Sequence, residues 1–204
     1  MAARRAGIST AMGICMVLSG LGTGAAAASG SMVTGGATSQ PVGHYEFCKK
    51  RPGECAIRLR DSGPVRMTGA LRRKIASVNL TVNRSVKAMN DRDIYGKEEV
   101  WTYPDKGIGD CEDYVLEKRR RLRQAGVPLS DLLITVVRKR DGEGHAVLTV
   151  RTDQGDFILD NLKDEVKLWS HTGYRYLKRQ ASDHTGRWVS LRSGNNLLVG
   201  AVRK

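Results

Sequence analysis

Several signatures are missing from this 204-residue chain, and each absence removes a class of function. Aromatic residues make up 5% of it, with only two phenylalanines, and no RNA-binding aromatic motif occurs. There is no zinc-finger spacing of cysteines and histidines and no recognition-helix pattern, so nucleic acid is not the expected partner despite the basic charge. No internal repeat is found. The most apolar stretch, Ile8 to Leu21, falls short of the roughly 20 residues that a spanning helix needs. It is also interrupted by Ser9, Thr10, Gly13, Ser19, Gly20 and Gly22. Acids are outnumbered, 21 against 34 Lys and Arg, for a formal charge of +13.

What is present begins with that N-terminal run. Arg4 and Arg5 precede it, and Ala25 to Ala28 follow it with small side chains. This is the layout of a secretory signal peptide over residues 1–28, cleaved on export to the periplasm or beyond. Cys15 leaves with it. Loss of Arg4 and Arg5 lowers the charge to +11, a balance that suits acidic partners or anionic surfaces. Residues 29–43, rich in Ser, Gly and Thr, read as a flexible leader, and 44–204 as one domain with a sizeable core.

Three cysteines remain in an oxidising compartment, so one is left over. Cys48 and Cys55 bracket a short loop containing Pro52 and Gly53 and are the natural disulfide pair. Cys111 is then free, in the hydrophilic setting Gly109-Asp110-Cys111-Glu112-Asp113-Tyr114.

Apolar positions at Leu71, Ile75, Val78, Val82, Val86 and Met89 predict one long or two shorter helices over 67–94. A loop spans 95–109. A helix starts at about Cys111, with Asp110 as N-cap and Asp113 three residues on, resembling a capping box. Val115, Leu122 and Ala125 share its inner stripe, and Gly126-Val127-Pro128 stops it. Within it, Lys118 to Arg121 are expected to be mostly solvated, a dedicated anion site being the lesser alternative. Strands follow at 132–138, 145–152 and 156–161, then at 188–192 and 197–203. Helices followed by an antiparallel sheet make the fold class α+β.

Cys111 in a first helical turn sits where the helix dipole favours a thiolate and where free backbone N–H groups can receive an oxyanion. His145 begins a strand after a glycine turn and suits a general base. Asp160 suits the group that orients it. If Thr152–Gly155 is a four-residue loop, Arg151 pairs with Asp156 and Val147 faces Asp160. His145 and Asp160 are then diagonal neighbours on one face. A three-residue loop would separate them. The carboxylates of Asp110, Glu112 and Asp113 oppose a thiolate by like-charge repulsion. Two readings stand for Asp110 and Asp113: helix capping, or oxygen ligands to a Ca²⁺ ion that reverses the local field. Glu112 is less well explained by capping.

Gly-Asp-Cys-Glu-Asp-Tyr at 109–114, Lys-Arg-Arg at 118–120, Gly-His-Ala-Val-Leu-Thr-Val at 144–150 and Leu-Asp-Asn-Leu at 159–162 resemble the bacterial transglutaminase-like cysteine proteinases. Phe47-Cys48, Glu54-Cys55, Trp101 to Pro104 and Thr172-Gly173-Tyr174 fit as well. The resemblance implies a papain/transglutaminase-like fold and a triad of Cys111, His145 and Asp160, needing no cofactor for its chemistry. It also implies calcium ligands flanking the nucleophile, here Asp110 and Glu112 with Asp113. Some members are periplasmic proteases that clip large surface adhesins near a di-alanine site, controlled by an inner-membrane cyclic-di-GMP receptor. The expected function is an exported cysteine endopeptidase. The alternatives are an amine-accepting acyl transferase of transglutaminase type and an inactive basic binding module.

Overall fold

The computed structural model describes Met1 and residues 30–192. The segment expected to be a signal peptide, apart from Met1, and the strand expected at 197–203 lie outside the described residues. Among those described, no helix is long and apolar enough to cross a membrane.

Among the described residues, five α-helices and nine strands occur along the chain: β1 (Thr34–Thr38), α1 (Val42–Lys50), α2 (Pro52–Cys55), α3 (Gly69–Ser85), β2 (Lys87–Ala88), α4 (Asp91–Tyr95), β3 (Ile108–Gly109) and α5 (Cys111–Gln124). Then come β4 (Leu132–Arg138), β5 (Gly144–Thr152), β6 (Gly155–Asp160), β7 (Lys163–Leu168), β8 (Arg175–Ala181) and β9 (His184–Leu191). Seven strands form one antiparallel sheet in the order β1-β9-β8-β4-β5-β6-β7. The α+β class is as expected, but β7 and β8 were not, and β9 begins four residues early. The supposed leader contributes β1 at the sheet edge.

α3 starts at Thr68, whose hydroxyl accepts the Leu71 N–H at 3.0 Å. It turns Ile75, Asn79 and Val82 inward and ends at Val86, so 67–94 holds two helices separated by β2. α5 packs on β5, β4 and β6 and against α3. Its inner residues Val115, Leu116 and Leu122 join Leu132, Ile134, Leu148, Val150 and Leu159 of the sheet in the main core. Each fully buried leucine contributes about 1.5–3 kcal/mol relative to an exposed one. α5 ends as the glycine predicts: Gly126 adopts φ +85° and its N–H reaches the Arg123 carbonyl. Ala125, expected inside, is exposed at this cap. A second cluster, with Val137, Val147, Ile158 and Tyr176, covers the opposite face of the sheet.

The Cys48–Cys55 disulfide is formed and ties α1 to α2, leaving Cys111 free. His44 lies beneath it, edge-on to Trp101 and Trp188. Burial, with Arg119 nearby, pushes its pKa down to about 4, so it is a neutral core histidine.

The basic run on α5 departs most from expectation. Lys118 is fully buried and Arg119 is buried, while Arg120 and Arg121 are partly covered. Helix–sheet packing overrides the preference of these charges for water, because α5 is enclosed by β5, α3 and the Trp101–Pro104 loop.

Candidate active site

Gly109 ends β3, which pairs in parallel with β2 and delivers the chain to the start of α5. A side chain at Gly109 would meet Asp113: an added Cβ would lie 2.5 Å from Asp113 Oδ2 and 2.7 Å from its Cβ. Glycine is therefore required for the helix start to fold back on itself.

Asp110 holds the N-cap position in extended conformation, but its side chain makes no capping bond. The expected capping box is half formed. The Asp110 N–H faces the Asp113 carboxylate and helps its charge, and Asp113 Oδ1 accepts the Thr102 N–H at 2.8 Å. Asp113 thus anchors the 101–104 loop to the helix start.

Cys111 is the first residue of α5 and half-buried. Its thiol donates to Glu112 Oε2 at 3.0 Å, and the Ala146 N–H of β5 points at its sulfur. Burial, then the Glu112 and Asp110 carboxylates, push the thiol pKa well up; the Ala146 N–H opposes them.

His145 is the second residue of β5, with Asp160 the last of β6. Arg151 pairs with Asp156 and Leu148 with Leu159, the register that sets Val147 opposite Asp160. The turn is tighter than assumed, because Thr152 also pairs with Gly155 and only Asp153 and Gln154 are left to make it. Two fewer loop residues preserve the face, as parity demands. His145 Nε2 and Asp160 Oδ1 are 2.9 Å apart, both side chains buried.

Asp160 is itself held. Tyr174 donates its hydroxyl to Oδ2 at 2.6 Å, and the Leu162 N–H donates to Oδ1 at 3.0 Å. Burial alone would raise the Asp160 pKa, but the bonds from His145, Tyr174 and Leu162 together bring it below the usual carboxylate value. The Tyr174 ring also stands edge-on to the imidazole, 5.7 Å between centroids.

Cys111 and His145 line one open groove of about 510 Å³, together with Met89, Asn90, Asp93, Lys139, Asn161 and Leu162. The three residues singled out from sequence are therefore brought to one place, with Ala146 joining Cys111 to the strand that carries His145.

A second cluster abuts it. Carboxylate oxygens of Asp91, Asp110 and Asp113 gather within 4.8 Å, as do ligand atoms of Asp110, Cys111 and Glu112. Asp91 Oδ1, Asp110 Oδ1 and Asp113 Oδ2 are buried without a hydrogen-bond partner. Burial raises all of these carboxyl groups, and repulsion from neighbouring acids adds to it at Asp110, Glu112 and Asp113, the last reaching about 8. Buried orphan oxygens of this kind fit a hard dication. Asp91, 19 positions before Asp110, carried no local signal in the sequence. Tyr174 was visible only as part of a resembling motif.

Residues 34–196 match the family described as bacterial transglutaminase-like cysteine proteinase BTLCP. Among solved structures, calcium-bound LapG of Legionella pneumophila is similar at 24% identity and TM-score 0.51, covering 58% of this chain and 68% of that one. EGTA-treated LapG of the same organism is similar at 24% identity and TM-score 0.50, covering 62% and 74%. These likenesses show the same fold. No curated protein sequence matches the chain. The family match spans most of the described residues, and the chain belongs to the bacterial transglutaminase-like cysteine proteinases: it is a cysteine peptidase.

Proposed function

We propose that the chain is an exported endopeptidase in which Cys111, His145 and Asp160 form the catalytic triad. The observation that carries this reading is the hairpin contact: with Nε2 engaged by Asp160 at 2.9 Å, His145 keeps Nδ1 for the thiol held beside Ala146. His145 Nδ1 takes the Cys111 proton, and the sulfur attacks the scissile carbonyl carbon. Backbone N–H groups at the start of α5, that of Cys111 first among them, receive the oxyanion. The imidazolium then protonates the leaving amine, and a thioester remains on Cys111. Water, deprotonated by His145, hydrolyses it. Asp160 stays ionised throughout and keeps the imidazole in one tautomer.

Ca²⁺ would be held by Asp110 and Glu112 with Asp113, and by Asp91 in addition. When bound it supplies positive charge beside a thiol otherwise surrounded by carboxyls. The calcium-bound LapG structure supports this reading. The substrate is proposed to be a large cell-surface protein of the adhesin kind, cut in the periplasm under control of an inner-membrane receptor. Family resemblance supports those assignments.

The test is iodoacetamide labelling of the non-reduced protein, with and without calcium, read by peptide mass spectrometry beside a cleavage assay. Rapid modification at Cys111 and loss of cleavage in Cys111→Ala are expected. An inert Cys111 in both conditions, or a cleaving Cys111→Ala, overturns the triad. Isopeptide crosslinks instead of new termini assign the same thioester to acyl transfer.

A further inference from the structure

The C-terminal half of α5 carries a feature that the chemistry at Cys111 does not use. Arg119, Arg120 and Arg123 line a pocket of about 420 Å³ with Arg51, Glu54 and Tyr103. Tyr103 forms its floor between two guanidinium groups, Arg51 at 5.3 Å and Arg120 at 4.4 Å from the ring centre. Arg120 is balanced by Glu117 and Asp105. Arg51, Arg119 and Arg123 have no carboxylate at ion-pair distance among the described residues. Glu54 is the sole acid in the lining, shared electrostatically between the Tyr103 hydroxyl and Arg119.

Arg119 makes this more than a basic helix end. Cationic side chains near a helix C-terminus complement its dipole, which accounts for the exposed Arg123. It does not account for a guanidinium that is 5% exposed. Arg119 Nε donates to the Leu132 carbonyl at 3.1 Å, which fixes the plane of the group at the pocket wall. Glu54 acts on Arg119 only from beyond ion-pair distance and Arg123 opposes it, so the buried, oriented guanidinium is costly to maintain. Planar N–H forks match carboxylates in bidentate geometry.

We propose that this pocket binds an acidic stretch of the peptide substrate, its carboxylates seated on Arg51, Arg119 and Arg123. The proposal rests on the peptidase reading for the role of the bound peptide, whereas binding itself does not. Charge distribution favours a peptide that is acidic at one point only. The reactive groove mixes Asp93 with Lys139 in its lining and so offers acids no net attraction, whereas the pocket at the far end of the same helix is lined by four arginines. Arg119 and Arg123 lie 8 and 12 residues beyond Cys111, about 12–18 Å along the helix. An extended peptide covers about 3.3 Å per residue, so the acids stand at least about four residues from the scissile bond.

The experiment uses fluorescein-labelled hexaglutamate as the probe and follows anisotropy with Cys111→Ala protein. The expected result is binding that weakens at least tenfold in Arg51→Gln/Arg123→Gln but not in Arg73→Gln/Arg84→Gln. The control pair removes the same charge from exposed sites on α3. Circular dichroism checks that both pairs fold, and neither touches the buried Arg119. Equal loss in the two pairs means general charge attraction and overturns the proposal. So does displacement of the probe by inorganic phosphate at matched ionic strength, which assigns the pocket to a small anion. Cleavage of an uncharged peptide by wild-type protein is measured separately. Probe binding without cleavage rejects the triad and leaves the pocket standing; cleavage with unaltered probe binding in Arg51→Gln/Arg123→Gln rejects the pocket.

Discussion

Tyr174→Phe removes one oxygen and tests how Asp160 is held. The hydroxyl donates to Asp160 Oδ2 at 2.6 Å, one of three donors on that carboxylate, while the ring rests against His145. A hydrogen bond to a charged group contributes about 1.5–3 kcal/mol. Tyr174 is only half-buried, so water replaces part of the loss and the lower end, about 1.5 kcal/mol, is expected. Asp160 has its pKa lowered in the fold, so its contribution is present above the ordinary carboxylate value and fades as pH falls through the depressed one. At pH 7 the variant should lose about 1.5 kcal/mol in urea unfolding, or about 3–6 °C in Tm. Once pH has fallen through the depressed value and Asp160 is protonated, the missing bond is neutral and the decrement should fall to about half. The acid limb of Cys111 alkylation should also move to higher pH, by up to about one unit. An unchanged unfolding free energy at pH 7, or a decrement that does not shrink as Asp160 takes up its proton, refutes the phenol as the anchor of Asp160.

Three further perturbations probe the surroundings. Gly109→Ala drives a methyl group into Asp113 and should cost about 1–3 kcal/mol in chemical unfolding; a neutral effect would show that the helix start tolerates a side chain there. Replacing Cys48 and Cys55 together by serine opens a loop with sequence separation 7 and should cost about 2.5 kcal/mol, read as a lower urea midpoint at unchanged slope. Asp91→Asn removes a proposed calcium oxygen. Calcium at about 100 times Kd should stabilise the parent by about 2.7 kcal/mol, and an equal Tm rise in the variant would exclude Asp91 from the proposed site.

The site was more legible in the sequence than the fold around it, for physical reasons that differ by residue. Cys111 announced itself through redox arithmetic and a helix start. His145 and Asp160 followed from alternation along a hairpin, where loop parity alone decides the face. β7 escaped notice because Lys163-Asp164-Glu165-Val166-Lys167-Leu168 is largely exposed on both faces, and its strand character comes from pairing with β6. β8 is masked by Arg175, Lys178 and Arg179, although Arg179 is buried on Asp156 at 3.0 Å. Lys118 and Arg119 were misjudged because four consecutive charges on a helix normally find water. Here the helix is surrounded, and only tertiary packing reveals that.

The hairpin geometry has a consequence for when the enzyme becomes one. His145 and Asp160 are 15 positions apart across a two-residue turn, a pairing that is local and quick to form. Cys111 reaches them only when α5 docks on β5 and the 101–104 loop closes over Asp113. On the proposed triad, the base and its orienting acid would therefore assemble first, and the nucleophile would be delivered by the slower meeting of two layers. A chain whose helix has lifted from the sheet would then carry a thiol apart from its base and could not turn on its unfolded neighbours. Reactivity at Cys111 would report that folding has finished.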